Sequence, residues 1–232
     1  MAAKGRLLMF RHVVQWVVWK DLLTEFRSRE TLSSMLFFAL IVIFIFSFSF
    51  SMNQQAAQEL IAGIIWVAFA FTGMIGLGKS FSAELQNDCL EYLQGSPAAK
   101  GAIYAGKVAA NFMFMLIVEI ILFPLFVIFF NLDVIEQISL LLLIFFLATF
   151  GLSAVGTLFS ALTVQIRARE VMLPILLLPL VVPVMIAAVE ATKGALNGDP
   201  LPMYQQWLEL LAIFNVVFTV VSFWLFDFII DA

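Results

Sequence analysis

The chain has 232 residues, 63% of them hydrophobic, 15% aromatic and only 12% charged, with 26 Phe and a formal net charge of -4 at pH 7. A soluble domain of this size carries a far more polar surface, so a soluble globular enzyme, a disordered chain and a nucleic-acid binder are excluded. With one cysteine, Cys89, and one histidine, His12, the chain also lacks the means for an internal disulfide framework, a Cys-based metal cluster or a multi-histidine site.

The first 31 residues interleave Lys4, Arg6, Arg11, Lys20, Arg27 and Arg29 with Asp21, Glu25 and Glu30, which is not the basic-then-apolar order of a signal peptide. Phe10, Val14, Val17, Val18, Leu22 and Phe26 recur there at helical spacing, and Trp16 and Trp19 suit a headgroup layer. The pattern predicts an amphipathic interfacial helix over residues 7–29. Apolar stretches long enough to cross a bilayer follow at about 32–51, 59–78, 104–130, 137–162, 171–190 and 209–228. Backbone polar groups in lipid must be paired within the segment, so runs of this length are helices and not barrel strands. The fold class is an all-α polytopic membrane protein, a single transmembrane domain of six helices preceded by an elbow helix.

Placing the N-terminus in the cytoplasm puts eleven of the twelve Lys and Arg inside or near an inside boundary, with Lys193 as the exception. The positive-inside rule therefore predicts that both termini are cytoplasmic. Two connections stand apart from ordinary loops. In the inner segment 80–98, Phe81, Leu85, Cys89 and Leu93 fall at four-residue intervals, with Glu84, Asp88 and Glu91 turned largely elsewhere. That spacing predicts a short cytoplasmic helix ended by Gly95, Ser96 and Pro97. The outer segment Ala191 to Trp207 is punctuated by Gly194, Gly198, Pro200 and Pro202. A small re-entrant or surface helix is expected there, with Tyr204 and Trp207 at the outer interface.

Glu119 lies well inside the third span, where an ionised carboxylate is costly unless paired, protonated or hydrated. It reads either as a functional group or as a helix-packing acid bonded to Asn111, Asn215 or a hydroxyl of another span. Glu190 and Glu209 stand at the outer ends of the fifth and sixth spans, hydrated there or facing a substrate or partner. Pro174, Pro179 and Pro183 punctuate the fifth span and each lacks a backbone donor, which kinks or locally breaks a helix. Glycines at 73, 76, 78, 151 and 156 permit close helix approach. Such features suit a transporter and equally any tightly packed bundle. No Gly-rich phosphate loop is present, so any ATP would bind another subunit.

Taken together, Trp19-Lys20-Asp21-Leu22 with Glu25-Phe26-Arg27, the loop residues Phe81, Glu84, Glu91, Leu93, Ser96 and Pro97, and Leu173-Pro174 with Pro179 and Pro183 carry a resemblance. In order, spacing and layout the whole chain resembles the CcmB family, haem exporter protein B of bacterial cytochrome c maturation. The resemblance implies an inner-membrane, non-catalytic subunit of an ABC-type complex, working with a CcmA-like ATPase, CcmC-like and CcmD-like subunits and the haem chaperone CcmE. It implies that segment 80–98 docks in the ATPase through Glu84, Asp88, Glu91 and Pro97. Arg167 and Arg169, or Lys20, Asp21, Glu25 and Arg27, form a second contact or hold the spans at the headgroups. No cofactor is expected on this chain itself: ATP belongs to the partner, and the lack of His within the spans fits haem handled by a neighbouring subunit or chaperone. ATP-driven export of haem or another small molecule, and a scaffold with no translocation route, remain as alternatives.

Overall fold

A computed structural model describes residues 2–49, 54–81, 84–85, 100–166 and 168–229, with the backbone alone for 2–8 and 54–59. Its elements are α1 (Ala2–Ser28), α2 (Glu30–Ser49), α3 (Gln54–Lys79), α4 (Lys100–Phe130), α5 (Ile138–Thr163), α6 (Arg169–Asn197), a 3-10 turn (Leu201–Met203) and α7 (Gln205–Ile229). Six helices, α2 to α7, are long and apolar enough to cross a membrane. With α1 as an additional N-terminal helix, this is an all-α, ABC-exporter-like polytopic membrane fold.

Helix α1 lies along α4 and is brought close by Gly106, where a Cβ would meet Val17 Cβ at 2.7 Å. Val13, Val14, Val17, Val18 and Leu22 are half-buried, while Trp16 and Trp19 are exposed, as a helix with one packed and one lipid-headgroup face requires. The turn into α2 runs through Arg29, whose φ of 54° is left-handed and closes α1 without a glycine. Glu25 spans this turn: its backbone carbonyl accepts from Arg29 N–H at 2.6 Å, and its carboxylate accepts from Leu32 N–H at 2.8 Å. It thereby caps the first turn of α2, whose N–H groups have no intrahelical partner.

Helix α5 is the centre of the bundle, packed by α3, α4, α6 and α7 and buried without interruption from Gly151 to Leu158. Small residues make that possible. A Cβ on Gly151 would sit 2.5 Å from Asn215 Oδ1 of α7, and one on Gly156 would sit 2.2 Å from Leu77 Cδ1 of α3. In the half of the bundle away from α1, Trp66, Phe69, Phe123, Phe126 and Phe145 meet edge-on, a preferred aromatic geometry. Trp66 Nε1–H donates to Thr192 Oγ1 at 2.8 Å, tying α3 to α6.

That bond falls beyond residue 190, where the sequence reading ends the fifth span. Ala187, Ala188, Ala191, Thr192 and Ala195 form one buried face, so the helical period continues to Asn197. Gly198, at φ 71°, caps the end, with Asp199 N–H donating back to Gly194 O at 3.0 Å. The expected outer surface helix reduces to the 3-10 turn Leu201–Met203. Tyr204 is buried against Gly194, packing where the sequence alone places it at an interface. All three prolines lie inside the unbroken α6. Pro179 and Pro183 point outward and Pro174 is half-buried, so the missing N–H groups fall mostly on the rim of the bundle.

Candidate functional site

At the α1 end of the bundle, where α3 gives way to the segment leading to α4, four charged side chains from three parts of the chain converge. Lys107 reaches Glu84 Oε1 at 2.7 Å and Asp21 Oδ2 at 3.0 Å. Its ammonium also donates to Ser80 O at 2.7 Å and lies 4.7 Å from the Phe81 ring centroid. Lys20 donates to the same Glu84 Oε1 and approaches Asp21 Oδ1 at 3.1 Å. Two cations therefore face two carboxylates, with Lys107 1% and Glu84 3% exposed. Buried charges persist only when paired and hydrogen-bonded in this way.

For Glu84, burial opposes ionisation, but the Lys107 and Lys20 ammonium groups outweigh it and hold the carboxyl below its usual range. For Lys20, burial opposes the charge, and Asp21 and Glu84 together outweigh that, raising the ammonium above the ordinary lysine value. A polar relay continues inward: Asn111 Nδ2 donates to Ser80 Oγ at 2.9 Å and to Thr157 Oγ1 at 2.8 Å, and Thr157 donates to Ser153 O at 2.6 Å. Ser160 Oγ adds a bond to Leu77 O at 2.6 Å. The exit of α3 is thus fastened to α1, α4 and α5 together. An inner apolar layer of Phe81, Tyr104, Leu158 and Phe226 backs the same end.

The sequence reading places Glu84 on a partner-facing surface, but the structure turns its carboxylate inward because Lys107 offers it a buried cation. Glu25 is likewise 9% exposed, its carboxylate accepting from Leu32 N–H in the α2 cap. Lys20 and Asp21 belong to the cluster, Arg27 is exposed, and Arg169 is half-buried at the start of α6. Asp88, Glu91, Pro97 and Arg167 lie outside the described residues. Within the described part of the segment, Leu85 N–H donates to Phe81 O at 3.1 Å, the first step of the expected four-residue period.

Glu119 is 6% exposed and accepts a hydrogen bond from Thr149 Oγ1 of α5; of the partners weighed from sequence, a hydroxyl of another span is the one present. Asn111 is engaged in the relay, and Asn215 Nδ2 donates to Leu147 O at 2.9 Å. Glu190 is half-buried and Glu209 exposed, the latter accepting from Gln205 at 2.7 Å. Among the described residues, no group of three or more His, Cys, Asp or Glu is placed to hold a metal ion.

Sequence reasoning missed Lys107, counting it only as a topological charge. The signal was there: a lone cation about two turns into a long apolar helix is costly unless it has a dedicated partner.

The family described as CcmB protein matches residues 12–229, from α1 to the last turn of α7. The chain belongs to the CcmB family. Among its relatives, heme exporter protein B of Pseudomonas aeruginosa is 30% identical over 194 residues, covering 84% of this chain and 86% of that protein. Heme exporter protein B of Rhodobacter capsulatus is 26% identical over 183 residues (77% and 82%), and that of Haemophilus influenzae 26% over 179 residues (77% and 80%). In this CcmB chain the matched region contains the whole ion cluster, the relay behind it and Glu119.

Proposed function

We propose that the chain is the membrane subunit of an ABC-type complex of cytochrome c maturation in the bacterial inner membrane, with both termini in the cytoplasm. In this reading it couples ATP hydrolysis by a CcmA-like ATPase to release of haem-loaded CcmE, alongside CcmC-like and CcmD-like subunits. The family match carries the reading, and the ion cluster supplies a physical means.

Segment 80–98 leads from α3 to α4. Its first residues are clamped to α4 by Lys107 and to α1 by Lys20 and Asp21, so an ATPase pushing on the segment displaces three helices as a unit instead of bending a free loop. Glu84 acts here as a positioning residue for the segment, while Asp88, Glu91 and Pro97 are the proposed ATPase contacts. Arg167, Arg169 and Arg27 remain candidates for a second contact. Acidic side chains select a basic groove on such a partner. The one histidine, His12, is exposed on α1, and the spans offer no imidazole for haem iron, which supports a neighbouring subunit or chaperone as the haem holder. Passage of haem through this subunit is the second reading, favoured by the name its relatives carry.

The deciding experiment reconstitutes the full complex with haem-loaded chaperone and follows ATP turnover and chaperone release together. Charge reversal at Asp88 and Glu91 is expected to weaken ATPase association. Glu84→Gln is expected to leave association intact while lowering release per ATP hydrolysed. Release that proceeds at full rate without hydrolysis overturns the coupling reading; ATP-dependent haem accumulation inside sealed vesicles establishes the second.

A further inference from the structure

A cleft of about 670 Å³ opens at the α1 end between α2, α3 and α6. Helix termini form its polar end: Glu30 begins α2, Lys79 ends α3, and Arg169 and Glu170 begin α6. Its wall then runs along Phe38, Phe71, Met74 and Leu173, with the Phe38 and Phe71 rings 6.2 Å apart. Phe38 and Phe71 each lie two turns and more from the helix ends, about 12 Å at a rise of 1.5 Å per residue. One hydrocarbon leaflet is about 15 Å deep, so the apolar wall follows most of it. A small soluble anion needs the polar end only; an apolar wall of this length fits an acyl chain.

The charges narrow the headgroup. Lys79 pairs with Glu30 at 2.6 Å on the open side. Arg169 is half-buried; its backbone N–H donates to Ile166 O at 3.1 Å, and its guanidinium has no hydrogen-bond or ion-pair partner among the described residues. The lining holds two cations, Lys79 and Arg169, against three acids, Glu25, Glu30 and Glu170, with Glu25 already occupied by Leu32 N–H. A purely anionic headgroup satisfies the cations and meets repulsion from Glu30 and Glu170. A choline headgroup carries no N–H to donate to them. A phosphate joined to a primary ammonium matches both signs, because guanidinium and phosphate form paired charge-assisted bonds and an ammonium donates to carboxylates.

We propose that this cleft seats one phosphatidylethanolamine molecule from the leaflet at the α1 end, its phosphate on Arg169 and Lys79, its ammonium on Glu170 and Glu30, and a chain along Phe38 and Phe71. The proposal rests on the chain spanning a membrane and not on the haem reading. The lipid fills the gap between the α1–α2 turn and the start of α6 and ties these two regions through its headgroup.

The test is lipid retention by the full-length protein in native mass spectrometry, after equilibration with phosphatidylethanolamine, phosphatidylglycerol and phosphatidylcholine at equal mole fractions. One phosphatidylethanolamine per chain is expected to survive in preference to the other two. Arg169→Ala should weaken that retention about tenfold, the loss of one charged hydrogen-bond partner. Arg169→Lys should restore part of it, and Arg27→Ala, which removes an exposed cation outside the cleft, should leave it unchanged. Equal or better retention of phosphatidylglycerol, retention of no lipid, or equal losses in Arg169→Ala and Arg27→Ala overturns the proposal. The wild-type competition decides the headgroup even where the Arg169→Ala protein does not fold.

Discussion

Glu84 and Glu119 are both acids buried in an apolar bundle, 3% and 6% exposed; each is held through one oxygen, its Oε2 having no hydrogen-bond partner among the described residues, and they are held by opposite means. Glu84 shares one oxygen between two ammonium groups and sits where α1, α4 and the exit of α3 meet. Glu119 meets a single hydroxyl, Thr149, between two neighbouring spans. The difference teaches that burial alone does not mark function in a membrane protein. What a buried acid joins together decides what its loss can disturb: Glu84 joins three parts of the chain that must move together if the segment transmits force, whereas Glu119 joins two adjacent packed helices.

The sharpest way to break the comparison is at Lys107. Lys107→Met removes the buried cation and leaves Glu84 and Asp21 with only half-exposed Lys20, so unfolding should be easier by about 3–5 kcal/mol, read as a fall in thermal midpoint in nanodiscs. Adding Glu84→Leu to Lys107→Met should recover much of that loss, because the orphaned charge is then gone. A double variant no better than the single one would mean that the pair is not energetically linked.

Glu84→Gln should cost less, about 2 kcal/mol, since Lys107 keeps Asp21. Its effect has a pH signature. The folded carboxyl is held below its usual range, so its contribution is present above the ordinary value of about 4.3 and is lost as pH falls through the lowered folded value. The wild-type advantage over Glu84→Gln should therefore shrink on acidification, and a difference that stays constant from neutral to acid pH would remove the ionised pair from the explanation. Lys20 acts at the other extreme: its raised value gives a contribution present below about 10.4 that fades as pH rises through the folded value.

The smallest effect belongs to Glu119→Gln. The amide keeps the size of the side chain and an oxygen to accept from Thr149, and such an exchange should cost under about 1 kcal/mol, near the mean for an interhelical hydrogen bond in a membrane. A loss of chaperone release with unchanged stability would instead make Glu119 a working group and move it to the same side of the comparison as Glu84.

The legible part of the molecule was what hydrophobicity and chain length dictate. Residues 32–51 and 137–162 read as spans because apolar side chains dominate them, and the elbow helix shows in the period of Val14, Val17, Val18 and Leu22. The limit of the sixth helix was not legible: Ala191, Thr192 and Ala195 look no different from loop residues until Trp66 and Tyr204 pack on them. Of the site, Lys20, Asp21 and Glu84 were singled out, but as surface groups. Lys107 was missed as a partner and Asn111 was weighed for Glu119 and not for Ser80 and Thr157, because a lone polar residue in an apolar run announces a need for company without saying where that company comes from.

The sequence by itself determined that the chain lives in a bilayer, that its apolar spans are six, and which family it resembles, because solvent preference and backbone pairing in lipid act on each segment separately. Only the tertiary structure decided that Glu84 faces inward to Lys107, that Glu25 caps α2, that Gly156 must admit Leu77, and that Lys79 and Arg169 share a cleft with three acids. Those outcomes depend on distances between segments far apart in the chain, and charge pairing and packing are set by those distances.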